Sequence, residues 1–179
     1  MKYVSIDIET TGLDPDCDLV LELAAVVDDL MDPTVPVDEL PALGVVVRHE
    51  RIHGDPRALA MNARLLEIIA HEGGTSEDEV MPLLAKFLGL NGVAKVWAAG
   101  KNFGAFDLQF LARMPGHELV KFGHRHLDPA LSFVRDDDVE PPSLSTCLER
   151  AGLPSVVSHR AVDDARDVVR LVRHVRGSR

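Results

Sequence analysis

The chain has 179 residues, of which 46% are hydrophobic and 27% are charged, and its formal net charge at pH 7 is −10. This length suits one domain that buries roughly two thirds of the surface exposed by the unfolded chain. The negative charge disfavours non-specific binding of long polyanions, because such binding depends on many Lys or Arg contacts to phosphates. A nucleic-acid substrate would therefore be held at only a few nucleotides.

The cysteine count and the N-terminus bear on where the protein works. Cys17 and Cys147 are too few for a disulfide framework and favour a reducing compartment. The sequence begins with a strand pattern rather than a signal peptide, and it has no apolar run long enough to span a bilayer. We therefore expect a cytoplasmic protein with no membrane partner.

The first predicted strand ends in two acids. Val4, Ile6 and Ile8 alternate with polar residues, so Asp7 and Glu9 emerge on the same face of the strand. Two neighbouring carboxylates resist desolvation unless a cation lies between them, and a divalent metal is the usual solution. Two alternatives remain open at this point: a strand end that frays into solvent, and a phosphatase-type nucleophile strand with the pattern Asp-x-Asp-x-Thr.

The following segments predict an antiparallel meander and then helices. Apolar runs over residues 19–27 and 45–47 indicate two more strands joined by short connections. Glu22 lies inside the second strand, where a hydrogen-bonded structural carboxylate is favoured over a residue that lines a site. A helix is predicted over residues 56–71, and a second helix follows the glycines that end it at Gly73.

A predicted helix over residues 103–114, preceded by a strand over residues 93–99, carries an acid on its apolar face. The face follows helical spacing through Phe103, Phe106, Asp107, Phe110, Leu111 and Met114. A buried aspartate either pairs with an arginine or binds a metal, since an unpaired buried charge is costly. Metal ligation is the favoured interpretation of Asp107.

The last helix is predicted to start near Ser158 and His159. Asp164 flanks its buried stripe, whereas Asp163 points to the other side and should be solvated. A histidine near a helix N-terminus is most often a capping or surface residue. His159 gains interest because it stands about one helical turn before a carboxylate at the edge of the core.

Four acids thus come from one strand and two helices: Asp7, Glu9, Asp107 and Asp164. If they meet, they cannot all stay ionised without a cation. Ligation by carboxylate oxygens alone suits Mg²⁺ or Mn²⁺ rather than zinc.

Three segments of the chain resemble the exonuclease motifs of the DEDDh 3′–5′ exonuclease family, which includes proofreading exonucleases, RNase T and oligoribonuclease. The segments are residues 7–13, residues 102–111, and His159 with four residues between it and Asp164. Because the three motifs span nearly the whole chain in order, we expect one exonuclease domain over residues 1–179. The resemblance implies an α/β, RNase H-like fold: a five-stranded mixed β-sheet, three strands antiparallel, with helices on both faces.

The same resemblance implies the roles of individual residues. Asp7, Glu9, Asp107 and Asp164 would hold two Mg²⁺ or Mn²⁺ ions, and His159 would be the general base. The residues expected to contact the terminal nucleotide are Thr10, Thr11, Gly12, Leu13, Asn102 and Phe103. For Phe103, stacking on a base and packing in the core are both open. The implied activity removes nucleoside 5′-monophosphates from 3′ ends of single-stranded DNA or RNA, or from short oligonucleotides.

Two other functions fit the sequence less well. An interaction subunit of a DNA replication or repair assembly is disfavoured by the intact acidic set and by the lack of a glutamine-led clamp-binding motif. A phosphatase is less favoured still, because no suitably placed Lys motif is evident. Residues 61–66 differ from the His-containing segment of many family members, so the resemblance implies no choice of base or sugar. Several members of the family dimerise, which makes a homodimer a further expectation.

Overall fold

The computed structural model describes residues 1–155 and 160–177 of the chain. Its centre is a five-stranded sheet in the order β4-β3-β2-β1-β5. The strands are β1 Lys2–Thr10, β2 Val20–Asp29, β3 Ala42–Arg48, β4 Thr75–Ser76 and β5 Ala98–Ala99. The α-helices are α1 Pro56–Met61, α2 Ala63–Glu72, α3 Glu77–Leu90, α4 Asp107–Leu111, α5 Leu144–Arg150 and α6 Ala161–Gly177.

The pairing of the strands confirms the expected mixed sheet. β1 pairs with β2, and β2 with β3, in antiparallel fashion, whereas β5 and β4 add to the edges in parallel. Isolated parallel bridges at Phe122 and Leu127 continue the pairing beyond β5. The antiparallel register places Glu9 directly opposite Glu22, so two acids share one face of neighbouring strands.

Helices cover both faces of the sheet, and the alternation of β1 divides its side chains between them. Val4, Ile6 and Ile8 pack into the core formed with α3 and α4. Tyr3 lies on the opposite face, in the core formed with α6. Asp7 and Glu9 share the face of Tyr3, because side chains two residues apart point the same way. The acids of β1 are therefore directed toward α6.

Two predicted elements differ from the structure in how far they extend as single regular elements. The helix predicted over residues 56–71 is two helices, α1 and α2, which meet at Asn62 with φ −92° and ψ 16°. The strand predicted over residues 93–99 pairs regularly only at its last two residues. Both predictions relied on local pattern alone, whereas the observed bounds depend on contacts made with other segments.

The helix predicted over residues 103–114 is much shorter, since α4 has only five residues. Asn102 adopts a left-handed conformation with φ 60°, and its N–H donates to Asp128 Oδ2 at 2.9 Å. This turn prevents helical geometry directly before Phe103. Most of the predicted apolar face is nevertheless buried, and its buried members are Phe103, Asp107, Phe110, Leu111 and Met114.

A buried ion pair fastens α6 to the sheet. Arg173 donates to both carboxylate oxygens of Asp28, at 2.6 and 3.0 Å, and the hydroxyl of Tyr3 donates to the same carboxylate at 2.8 Å. Asp28 lies at the end of β2 and is almost fully buried. Because α6 also carries Asp164, this pair helps to set the position of that acid relative to β1.

Both cysteines are free, with Cys17 exposed and Cys147 buried. Among the described helices, none combines the length and the apolar character that crossing a bilayer requires.

Replacing Asp28 with Asn should lower the free energy of unfolding by about 3 kcal/mol, because the largely buried guanidinium of Arg173, 17% exposed, loses its counter-charge. The matched control is Asp38→Asn, which removes the 73% exposed partner of Arg170 and should cost less than about 1 kcal/mol. Urea unfolding measures both values. Equal losses in the two variants would contradict the fastening role of the Asp28–Arg173 pair.

Candidate metal and substrate site

Three of the four predicted acids meet at one point. Carboxylate oxygens of Asp7, Glu9 and Asp164 all lie within 4.8 Å of one another. Asp7 and Glu9 are partly buried near the end of β1, and Asp164 is buried in the first turn of α6. Antiparallel pairing of β1 with β2 fixes the positions of Asp7 and Glu9, and packing of α6 across the sheet brings Asp164 close to them.

The fourth acid, Asp107, lies outside this group of three but close enough to act on it. It is the first residue of α4 and only 4% exposed. After burial, the charge of Asp107 is the strongest influence that raises the pKa of Asp7. The structure thus places Asp107 near Asp7 but outside the group of three, so a meeting of all four acids stays a prediction.

The acids are held in environments that oppose their ionisation. Burial raises the pKa of Asp7 well above its usual range, and the charges of Asp107, Asp164 and Glu9 raise it further. Burial also raises the pKa of Glu9, although the neighbouring Asn62 side chain and the charge of Arg160 partly lower it. For Asp107, burial raises the pKa to about 7, against the lowering effect of the backbone N–H groups of Asp107 and Ile8.

This donor set fits a divalent cation. Carboxylate oxygens are the ligands that Mg²⁺ and Mn²⁺ prefer, and three of them already converge within the span of one ion's ligand shell. Clustered carboxylates that desolvation and mutual repulsion push toward the neutral form regain their charge when a cation joins them. Arg160, the arginine whose charge acts on Glu9, is hydrogen-bonded to another carboxylate, that of Glu22.

Glu22 has a structural role, in agreement with the favoured interpretation of its sequence position. It is 1% exposed, and the guanidinium of Arg160 donates to it at 2.8 and 3.1 Å. The backbone N–H of Ala161 donates to its other oxygen at 3.0 Å, and the N–H of Asp164 donates to the carbonyl of Arg160 at 3.1 Å. Glu22 thereby fixes the first turn of α6, and with it Asp164, against β2.

A large cleft of about 620 Å³ opens beside Glu9. Its apolar lining consists of Ile8, Leu13, Ala58, Met61 and Phe106. Leu13 is 83% exposed and Met61 is 61% exposed, so both offer apolar surface to this cleft. An apolar cleft next to an acidic cluster can accept a flat hydrophobic group, such as a nucleobase, close to a bound cation.

The residues predicted to contact substrate fall into two groups. Thr10, Gly12 and Leu13 line the large cleft. Thr11 does not line it: its hydroxyl accepts the N–H of Leu19 at 2.9 Å and holds the turn after β1.

Asn102 and Phe103 are also placed away from the lining of the large cleft. Asn102 is exposed in the turn before α4. Phe103 is 1% exposed and packs in the core against Phe122 and His126, so stacking of Phe103 on a base is not supported. The aromatic side chain that reaches the cleft is Phe106, three residues later.

Two further residues at this site belong to residues 61–66, which the sequence analysis singled out, but they were not among the predicted site residues. Asn62 donates to the carbonyl of Thr10 at 3.1 Å and lowers the pKa of Glu9, and Met61 lines the cleft with 61% of its surface exposed. Both lie at the break between α1 and α2, where a continuous helix was predicted. The polar Asn62 within an otherwise amphipathic run was the one signal that could have indicated this break.

His159, the predicted general base, lies outside the described residues.

In metal-free protein, the free energy of unfolding should fall as the pH rises from about 4 to about 7. The reason is that Asp107 loses its proton near 3.8 when unfolded but keeps it to about 7 when folded. Residue 107 cannot ionise in Asp107→Asn. The free energy of unfolding of this variant should therefore rise relative to that of wild type across this window, by about 2–4 kcal/mol above pH 7. Denaturant unfolding in EDTA at several pH values measures the difference, with Asp163→Asn as control. A difference that stays constant with pH would contradict this account.

No protein-family model matches the chain. Over 173 residues the chain is 30% identical to a DNA polymerase III of the PolC type from Thermotoga petrophila, a match that covers 92% of this chain and 11% of the polymerase. Its structure is similar to that of E. coli exonuclease I in complex with a dT13 oligonucleotide, with a TM-score of 0.69, 15% identity and coverage of 98% of this chain and 41% of that one. A moderately thermophilic exonuclease I from Methylocaldum szegediense gives a TM-score of 0.67, 19% identity and coverage of 98% and 40%.

The chain therefore spans about a tenth of the polymerase and about two fifths of the exonuclease I chains that it matches. At these identities the structural likeness establishes the fold. The chain has the fold of exonuclease I over nearly all of its length, and the predicted α/β, RNase H-like fold with a five-stranded mixed sheet is confirmed.

Proposed function

We propose that the chain is a metal-dependent 3′–5′ exonuclease that acts on single-stranded DNA, with residues 1–179 as one catalytic domain. The observation that carries the proposal is the convergence of Asp7, Glu9 and Asp164 within 4.8 Å, on the exonuclease I fold. A cluster of this kind beside an apolar cleft suits hydrolysis of a phosphodiester next to a bound nucleobase.

The acids and His159 have distinct proposed roles. Asp7, Glu9, Asp107 and Asp164 would hold two Mg²⁺ or Mn²⁺ ions. The chemistry that such ions supply when bound is charge stabilisation at the scissile phosphate and acidification of water. His159 accepts the proton of the attacking water, for which an imidazole that titrates near neutrality is suited. Water attacks the last phosphodiester, the 3′ oxygen of the penultimate nucleotide leaves, and a nucleoside 5′-monophosphate is released.

The large cleft supports action at a strand end. Leu13, Met61 and Phe106 offer apolar surface for the terminal base. Besides Glu9, three acids line this cleft, Asp14, Asp18 and Asp55, against one cation among its described lining residues, Arg57. A strand that continued through the cleft would bring a further phosphate against these acids, whereas a terminal 3′-hydroxyl brings no additional charge.

Single-stranded DNA is the proposed substrate because oligodeoxynucleotides are bound in solved structures of exonuclease I, which has the same fold. A clear preference for RNA or for dinucleotides would change the substrate assignment and leave the chemistry intact. Gel filtration tests the expected homodimer separately.

A second candidate function is an exonuclease subunit or module that works with a replicative polymerase. The observation in its favour is the 30% identity to a PolC-type DNA polymerase III. Co-elution with a polymerase, together with weak activity of the isolated chain, would favour this candidate over a free-standing exonuclease.

The proposed activity predicts a product ladder on 5′-labelled single-stranded DNA that depends on Mg²⁺ or Mn²⁺ and vanishes in EDTA. Asp164→Asn should lower turnover by at least about 10³-fold, because a cation ligand is lost. Asp163→Asn is the matched control. The side chain of Asp163 is half exposed, so this change should lower turnover by less than about twofold. Substrates with a 3′-phosphate should resist digestion. Full activity of Asp164→Asn, or equal rates on free and blocked ends, would contradict the proposal.

His159→Ala should slow cleavage about 10²–10⁴-fold at neutral pH while metal affinity stays close to that of wild type, because the imidazole moves a proton and binds no ion. His124→Ala, a change at an exposed histidine, serves as the control. Single-turnover rates and Mn²⁺ titrations separate the two effects. A loss of less than threefold would assign the proton to another group.

A further inference from the structure

A second cleft, of about 400 Å³, lies on the other side of the acidic cluster. Asp7 and Asp164 line this second cleft, whereas Glu9 lines the large one, so the three acids stand at the boundary between the two spaces. The remaining described lining of the second cleft differs in character and consists of Lys101, Ser143, Leu144, Ser145, Ser155 and Val168.

The two linings suit different parts of a nucleotide chain. The large cleft combines apolar side chains with the acids Asp14, Asp18 and Asp55, which repel phosphate. The second cleft offers one ammonium group and three hydroxyl groups, which are chemically able to donate hydrogen bonds to phosphate oxygens. One of the hydroxyls, that of Ser143, also accepts the N–H of Thr146 at 3.1 Å. In a protein of net charge −10, a lysine placed at the edge of an acidic cluster is a specific source of attraction for a polyanion.

The position of Lys101 supports this use of its charge. Lys101 is partly buried in the turn between β5 and α4, and it lines the second cleft together with Asp7 and Asp164. That turn is held on both sides: Gly100 donates to the carbonyl of Leu127 at 3.1 Å, and Asn102 donates to Asp128 at 2.9 Å. Ser143 and Ser145 face the same cleft with their hydroxyl oxygens 2.9 Å apart.

We propose that the second cleft binds the substrate strand on the 5′ side of the scissile bond, with Lys101 contacting the phosphate next upstream and the serine hydroxyls contacting the backbone. This inference rests on the proposed function and fixes the direction of the strand. The terminal nucleotide occupies the large cleft, the scissile phosphate lies at the acids, and the remaining strand leaves past Lys101.

The test compares two substrates under the same metal conditions. One is an oligothymidylate of eight nucleotides, which has upstream phosphates. The other is the p-nitrophenyl ester of thymidine 5′-monophosphate, which carries only the scissile phosphate. Lys101→Ala should raise the KM for the oligonucleotide roughly tenfold and leave kcat within about twofold, because one charge-assisted contact is lost. Its kinetics on the ester should equal those of wild type.

Two further measurements separate a phosphate contact from a structural role. The slope of log(kcat/KM) against log salt on the oligonucleotide should become shallower by about 0.7, the value for one phosphate contact to a single strand. Lys101→Arg, which keeps the charge, should restore most of the affinity. Lys95→Ala, a change at an exposed lysine packed over Trp97, should alter neither quantity.

Each outcome decides a different question. If wild-type protein cleaves neither substrate, the proposed function fails and this inference fails with it. If wild type is active and Lys101→Ala leaves the KM and the salt slope unchanged, only the inference is overturned. Equal losses on the ester and the oligonucleotide would place Lys101 at the scissile phosphate instead, which also contradicts the upstream assignment.

Discussion

Mutual repulsion among buried carboxylates is the constraint on which this structure depends. Asp7, Glu9 and Asp164 come within 4.8 Å of one another, and Asp107 adds its charge to Asp7 from α4. Folding alone does not favour such a gathering, because desolvation and like charges both oppose it. Contacts within the fold fix the positions of these acids. The register of β1 fixes Asp7 and Glu9, and the Glu22–Arg160 and Asp28–Arg173 pairs hold α6, which carries Asp164.

Much of this arrangement could be predicted from the sequence, because it depends on local periodicity. Alternation along β1 placed Asp7 and Glu9 on one face, and helical spacing placed Asp107 among buried side chains. The three antiparallel strands followed from consecutive apolar runs joined by short connections. Glu22 was correctly interpreted as structural from its position inside an apolar strand. Its partner Arg160 was not identified, since the two residues are 138 positions apart.

The errors arose where tertiary contacts override local pattern. Phe103 and Phe106 have the same residue type on one predicted helical face, yet Phe103 packs in the core and Phe106 lines the cleft. The difference comes from the turn at Asn102, whose N–H is held by Asp128. Asn62 likewise breaks a predicted helix because its side chain reaches Thr10 across the cleft. Such contacts join residues that are distant in sequence, so a periodicity argument cannot find them.

Cation binding by the protein alone tests most directly the proposal that these acids hold metal ions. Isothermal titration with Mn²⁺ near pH 8, without substrate, should give two ions bound per chain. Asp7→Asn should abolish at least one of the two sites, and Asp163→Asn should leave both unchanged. Absence of Mn²⁺ binding to the wild-type protein, or an unaltered isotherm for Asp7→Asn, would contradict the central claim.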